Sequence, residues 1–116
     1  MIAHVVLCTL KRDLSRTDRE RFLRAIRTAL AAIPTIRRSS VGRRLEPGEP
    51  YSRTGEVEYD HVAVIEFDDE AGLRGYLEHP THAELASLFW TCCTRTLVAD
   101  YRLLDAATTP TDAFAI

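Results

Sequence analysis

The chain has 116 residues, 46% of them hydrophobic and 28% charged, with a formal net charge of −2. That size suits one domain, and the near-neutral balance excludes the broad basic footprint of a general nucleic-acid binder. Apolar runs fall far short of the roughly 20 residues needed to cross a bilayer, and the start has no basic region followed by a hydrophobic signal stretch, so a cytosolic protein without membrane contact is expected.

Ile2 to Leu10 alternates as a strand, with Ile2, His4, Val6, Cys8 and Leu10 on one face and Ala3, Val5, Leu7 and Thr9 on the other. A polar connection follows. Thr17 with Glu20 then reads as a capping box, and Phe22, Leu23, Ile26, Leu30 and Ile33 form the apolar stripe of a helix that Pro34 ends. Its other face carries Arg19, Arg21, Arg24 and Arg27 and belongs in water. Ile36 to Leu45 is a weaker strand, interrupted at Gly42. The cluster Arg37, Arg38, Arg43, Arg44 lies along it without interleaved aromatic residues, the pattern of a solvated edge.

Glu46 to Glu58 contains Pro47, Gly48, Pro50, Ser52 and Gly55 and reads as a long surface loop with the composition of a lid. Tyr59 to Phe67 is a strand with His61, Ala63, Ile65 and Phe67 on one face. From Asp69 to about Cys92 the periodicity is helical but broken, because Pro80 cannot continue the first segment and forces His79 towards extended backbone. Leu73, Tyr76 and Leu77 share a face of the first segment, while Thr81 and Glu84 suggest a capping box that would make His82 the first residue of the second. Thr96 to Leu104 is the last strand, closing a folded unit over residues 1–105, and 106–116 is a tail. Cys8, Cys92 and Cys93 offer neither a disulfide framework nor a C-x-x-C pair, so reduced, mostly buried thiols are expected.

The order strand, helix, strand, strand, helix, strand predicts an α+β, ferredoxin-like βαββαβ fold with a four-stranded antiparallel sheet. Two helices cover one sheet face only. Since strands one, three and four are apolar on both faces, a second copy is expected to cover the other, giving a homodimer with sheets packed face to face.

Chemistry gathers in Tyr76-Leu77-Glu78-His79-Pro80-Thr81-His82. A histidine at a helix start feels the positive end of the dipole, which holds His82 neutral and able to accept a proton. Tyr76, on the buried stripe, has a hydroxyl able to hydrogen-bond a carbonyl oxygen, and a packing role stays open for it. His4 and His61 take inward strand positions, where a satisfied core histidine is the plain alternative to a ligand-binding one. His79 holds the turn before Pro80. A metal centre built from these histidines has no recognisable ligand spacing, so neither metal nor cofactor is expected.

In this arrangement the chain resembles the stress-responsive dimeric α/β-barrel (Dabb) family. The resemblance rests on Ile2-Ala3-His4-Val5-Val6-Leu7, Ile33-Pro34, Val41-Gly42, Glu66-Phe67-Asp68, the Tyr-x-x-His-Pro-x-His segment from Tyr76 to His82, and Asp100-Tyr101, in order over nearly the whole chain. It extends to the family's plant olivetolic acid cyclase, which closes a linear polyketide by intramolecular aldol condensation. The resemblance implies catalytic roles for Tyr76 and His82 and pocket roles for His4 and His61, with His79 as a further substrate-binding candidate. Departures from the cyclase fall at Ile26, Ser40 and Val41, which replace aromatic positions and imply a different pocket shape. Three classes follow: a cofactor-independent polyketide cyclase or related lyase acting on a small apolar or polyketide-like ligand, a non-catalytic stress-response or small-ligand-binding protein, and a cofactor-free monooxygenase.

Overall fold

A computed structural model describes residues 1–54, 59–107 and 113. The elements run β1 (Ile2–Leu10), α1 (Arg16–Ala32), β2 (Arg38–Arg43), α2 (Tyr51–Thr54), β3 (His61–Phe67), α3 (Glu70–Glu78), α4 (Pro80–Cys92) and β4 (Cys93–Arg102). Strands β1 to β4 form one antiparallel sheet in the order β2-β3-β1-β4, the ferredoxin-like topology expected from the sequence.

The first helix starts earlier than its capping box suggested. Ser15 is the N-cap, its Oγ accepting from the Asp18 amide at 3.1 Å, so Thr17 lies inside the first turn. The buried stripe of α1 is Phe22, Ala25 and Ala29, continued by Ile33 at the C-cap, and Leu23 turns out to solvent. Small residues at 25 and 29 let α1 lie close to its neighbours, which is why the large side chains at 26 and 30 are only half-buried. Arg19, Arg21, Arg24 and Arg27 are all exposed, as the pattern required.

The segment expected to be one irregular loop contains the short helix α2, which Arg44 ties down by donating to the Ser52 carbonyl at 2.8 Å. Residues 55–58 lie outside the described residues, so the reading of Glu46 to Glu58 as a lid is not carried further. Most of the tail, 108–112 and 114–116, lies outside them as well.

On the helix-facing side of the sheet, two clusters share the core. Cys8, Phe22, Ala25, Leu88, Phe89, Cys92 and Cys93 pack between α1, α4 and the strand ends. Ile2, Ala29, Ile33, Ile65, Phe67 and Tyr76 pack at the other end, under α3. The three cysteines are free, buried thiols. Helix α3 reaches that second cluster because Gly72 and Gly75 face the connection at Thr35: a Cβ on Gly75 would sit 3.2 Å from Thr35 Cγ2, and Thr35 donates to the Gly72 carbonyl at 2.8 Å.

Among the described residues, no helix packs against the opposite sheet face. Register places Val5 between Val64 and Ala99, and Leu7 between Val62 and Leu97, an apolar strip across three strands. Arg38 and Glu66 close one end of it with an ion pair of 2.6 Å.

Candidate functional site

Asp69 caps α3 by accepting from the Gly72 amide at 2.8 Å, and the helix runs to Glu78. The chain then restarts at once. The N-cap of α4 is His79, not the threonine two residues on: its Nδ1 accepts from the Thr81 amide at 3.2 Å, and Pro80 occupies the first helical position, where its missing N–H costs nothing. Hence His82 is the third residue of α4, still within the first turn, and its amide donates to the His79 carbonyl at 3.0 Å.

The abrupt helix-to-helix junction brings Tyr76 and His82 together. Their rings meet edge to face with centroids 4.6 Å apart. Tyr76 is only 2% exposed, and on its other sides it meets His4 and Phe67, each at 5.4 Å between centroids. His4 enters from β1 and is itself buried; its Nδ1 lies 2.6 Å from Oδ1 of Asp100, the residue directly opposite it in β4. Asp100, Leu73 and Leu77, with Glu70, Arg74 and Arg102, line a neighbouring hollow of about 390 Å³, to whose wall Tyr76, His82 and His4 do not contribute.

Burial drives the two central side chains in opposite senses. The Tyr76 phenol is pushed up to about 12, first by burial and then by the charge of Asp100, so at neutral pH it is a hydrogen-bond donor and not a base. His82 is held below the ordinary histidine value by burial and then by the positive charge His4 carries when protonated, against which the Leu77 carbonyl acts weakly. A neutral imidazole therefore stands beside a protonated phenol, a pairing suited to taking a proton from carbon while an oxygen is held.

Two of the expected pocket histidines stand apart. His61 shares the sheet face of His4 but pairs with Cys8, whereas His4 pairs with Ile65, so it lies four residues further along β3, roughly 13 Å away. It lines a separate hollow at the far end of the sheet. Strand alternation fixes a side chain's face but not its distance along the strand, so the expected single wall containing both His4 and His61 does not form. His79 spends its Nδ1 on capping α4 and on the Thr81 hydroxyl at 2.9 Å, which gives it the turn-holding task rather than an open ligand site. Asp100 joins the group although the sequence pattern does not point to it as a site residue. Its signal was available only through register, since nothing in linear spacing links positions 4 and 100. Among the described residues, no group of three or more histidine, cysteine or acidic side chains could hold a metal ion.

The family model of the stress responsive A/B barrel domain matches residues 2–103. The chain belongs to that family. Within and around this Dabb family, a Mesorhizobium loti protein with a ferredoxin-like fold is 27% identical, with a TM-score of 0.68 over 90% of this chain and 97% of its own. The hydroxynitrile lyase of Passiflora edulis superposes with a TM-score of 0.76 at 18% identity, over 90% and 94% of the two chains. A dimeric ferredoxin-like protein of Thermobifida fusca gives 0.67 at 22% identity, over 88% and 90%. At these low identities the last two likenesses establish the fold. The sequence matches no curated protein. Among the described residues, no helix of this Dabb chain is long and apolar enough to cross a membrane.

Proposed function

We propose that this Dabb protein is a cofactor-independent lyase or cyclase that works by enolate chemistry, with His82 as general base and Tyr76 as the donor to the developing oxyanion. The observation that carries the reading is the 4.6 Å edge-to-face packing of Tyr76 and His82, with their protonation equilibria driven in opposite senses. In the forward sense His82 takes a proton from a carbon next to a carbonyl, and the electron pair moves onto the oxygen held by the Tyr76 hydroxyl. The enolate carbon then attacks a second carbonyl of the same chain, forming the carbon–carbon bond, and the protonated His82 returns its proton to the new alkoxide. The lyase direction is the same path reversed. Asp100 and His4 support it from behind Tyr76, the carboxylate orienting the imidazole.

The substrate class favoured is a linear poly-β-ketone, which is acidic enough at carbon for a histidine base. The hollow of about 390 Å³ beside the pair sets Ile2, Leu73 and Leu77 against the charged side chains Glu70, Arg74, Asp100 and Arg102, a mixed lining suited to a chain that alternates carbonyl oxygens with apolar carbon. The functional unit in this reading is a homodimer, since the strip of Val5, Leu7, Val62, Val64 and Leu97 on the uncovered sheet face suits burial against its own copy.

The deciding experiment gives a linear triketide or tetraketide thioester to the wild type, His82→Ala and Tyr76→Phe. Cyclised product should form with the wild type and fall by roughly 10² to 10⁴ with His82→Ala. Equal product, or none, from all three, with ligand still bound, would replace catalysis by a small-ligand-binding role.

A further inference from the structure

At the end of the sheet away from Tyr76 lies a second hollow, of about 480 Å³, whose lining is unlike the rest of the molecule. Lys11 and Arg12 line it just after β1, Arg19 from α1, Arg43 from the end of β2 and Arg44 just beyond it, with His61 on β3. Against these five cations stand two carboxylates, Glu46 and Asp60. A chain of net charge −2 thus concentrates a local excess of positive charge in one concave place.

The elements that meet there fix the arrangement. Arg43 is the direct cross-strand partner of His61, so their side chains leave the sheet on the same face as neighbours. Backbone pairing continues one residue on, where the Arg44 amide donates to the Asp60 carbonyl at 2.8 Å, and the Arg44 side chain is held by the Ser52 carbonyl. His61 adds a second and independent sign: its Nδ1 is buried and, among the described residues, has no hydrogen-bond partner. Buried polar nitrogens are nearly always bonded, so an unsatisfied ring nitrogen on a residue that lines a cationic hollow is a group that a bound ligand could satisfy.

We infer that this hollow binds a phosphate-bearing small molecule, with Arg43, Arg12 and Arg19 holding the anion and His61 completing the set of donors. Guanidinium groups match the oxygen spacing of phosphate, and several of them suit a multiply charged group better than a single carboxylate. The volume falls in the range of small-molecule sites and leaves room for an organic part beside the phosphate. A nucleic-acid polymer fits less well. It would call for a basic stripe with stacking aromatic residues, and the hollow is lined by none. The site does not depend on the enolate reading, as none of its residues belongs to the Tyr76 group.

Inorganic pyrophosphate is the probe, titrated into the full chain at low salt and followed by calorimetry and by NMR of the His61 ring and the arginine side chains. Saturable binding that shifts the His61 resonances is expected, weakened at least tenfold by R43Q and also by H61Q. R27Q, which changes an exposed arginine elsewhere on α1, should leave it unchanged. The inference fails if pyrophosphate does not bind at millimolar concentration, if R27Q weakens it as much as R43Q does, or if acetate at equal concentration displaces it. Since Arg43 is an exposed position, its variant is expected to fold, and H61Q provides the check should it not.

Discussion

Tyr76 and His82 lie six positions apart in sequence and meet ring to ring at 4.6 Å, a contact that a continuous helix would not make. On an unbroken helix, residues three or four apart face each other, and six apart they diverge. Pro80, together with the extended backbone of His79, redirects the chain and brings the second ring back over the first.

The first expectation concerns the phenol. Because Asp100 is the second cause of the raised Tyr76 value, after burial, Asp100→Asn should lower it from about 12 towards the ordinary 10.0 without reaching it. Ultraviolet titration of tyrosinate, corrected with Tyr76→Phe for the other tyrosines, reads this directly. An unmoved titration would mean that the Asp100 charge does not reach the ring.

For His82 the sign follows from its depressed value in the fold. The unfolded chain protonates this histidine from about pH 6.5 downward, while the folded chain resists, so the unfolded state binds more protons and stability falls as pH drops through that window. Above it the residue has no effect on stability. Replacement by asparagine should flatten this part of the stability curve measured by urea unfolding, and an unchanged curve would place the titration elsewhere.

The cap assignment at α1 separates two neighbouring substitutions. Ser15→Ala should cost about 1 kcal/mol, since the Asp18 amide loses its acceptor, while Thr17→Ala should stay within about 0.5 kcal/mol of the wild type. Equal costs in thermal or chemical unfolding would contradict the cap.

A charge at the centre of the uncovered sheet face tests the dimer. Val5→Lys sits between Val64 and Ala99, where an unpaired ion buried against a second copy costs several kcal/mol. Sedimentation should show the wild type as a dimer and the variant as a folded monomer. A wild-type monomer at micromolar concentration, or an undisturbed dimer of the variant, would remove the interface from this face.

The alternation of β1 and β3 and the break at Pro80 were legible in the sequence because each depends on neighbours within a few positions. Caps were less so: serine, threonine and aspartate crowd positions 15 to 18, and His79 caps with a ring nitrogen, an acceptor that capping patterns do not anticipate. The nearness of Tyr76 and His82 to one another was readable from their local segment. The separation of His61 from His4 and the place of Asp100 were not, as both are set by strand register, which the pattern of one strand cannot specify.

The same register gives the His4–Asp100 contact a role in folding fidelity. If β4 slipped by one residue along β1, Ala99 or Tyr101 would come opposite His4, and every β4 side chain would change face. The carboxylate would then point into the uncovered apolar strip, and the imidazole would stay buried with no acid beside it. Both outcomes penalise the slipped sheet, so a hydrogen-bonded contact that orients one ring also selects the strand alignment in which the site can exist.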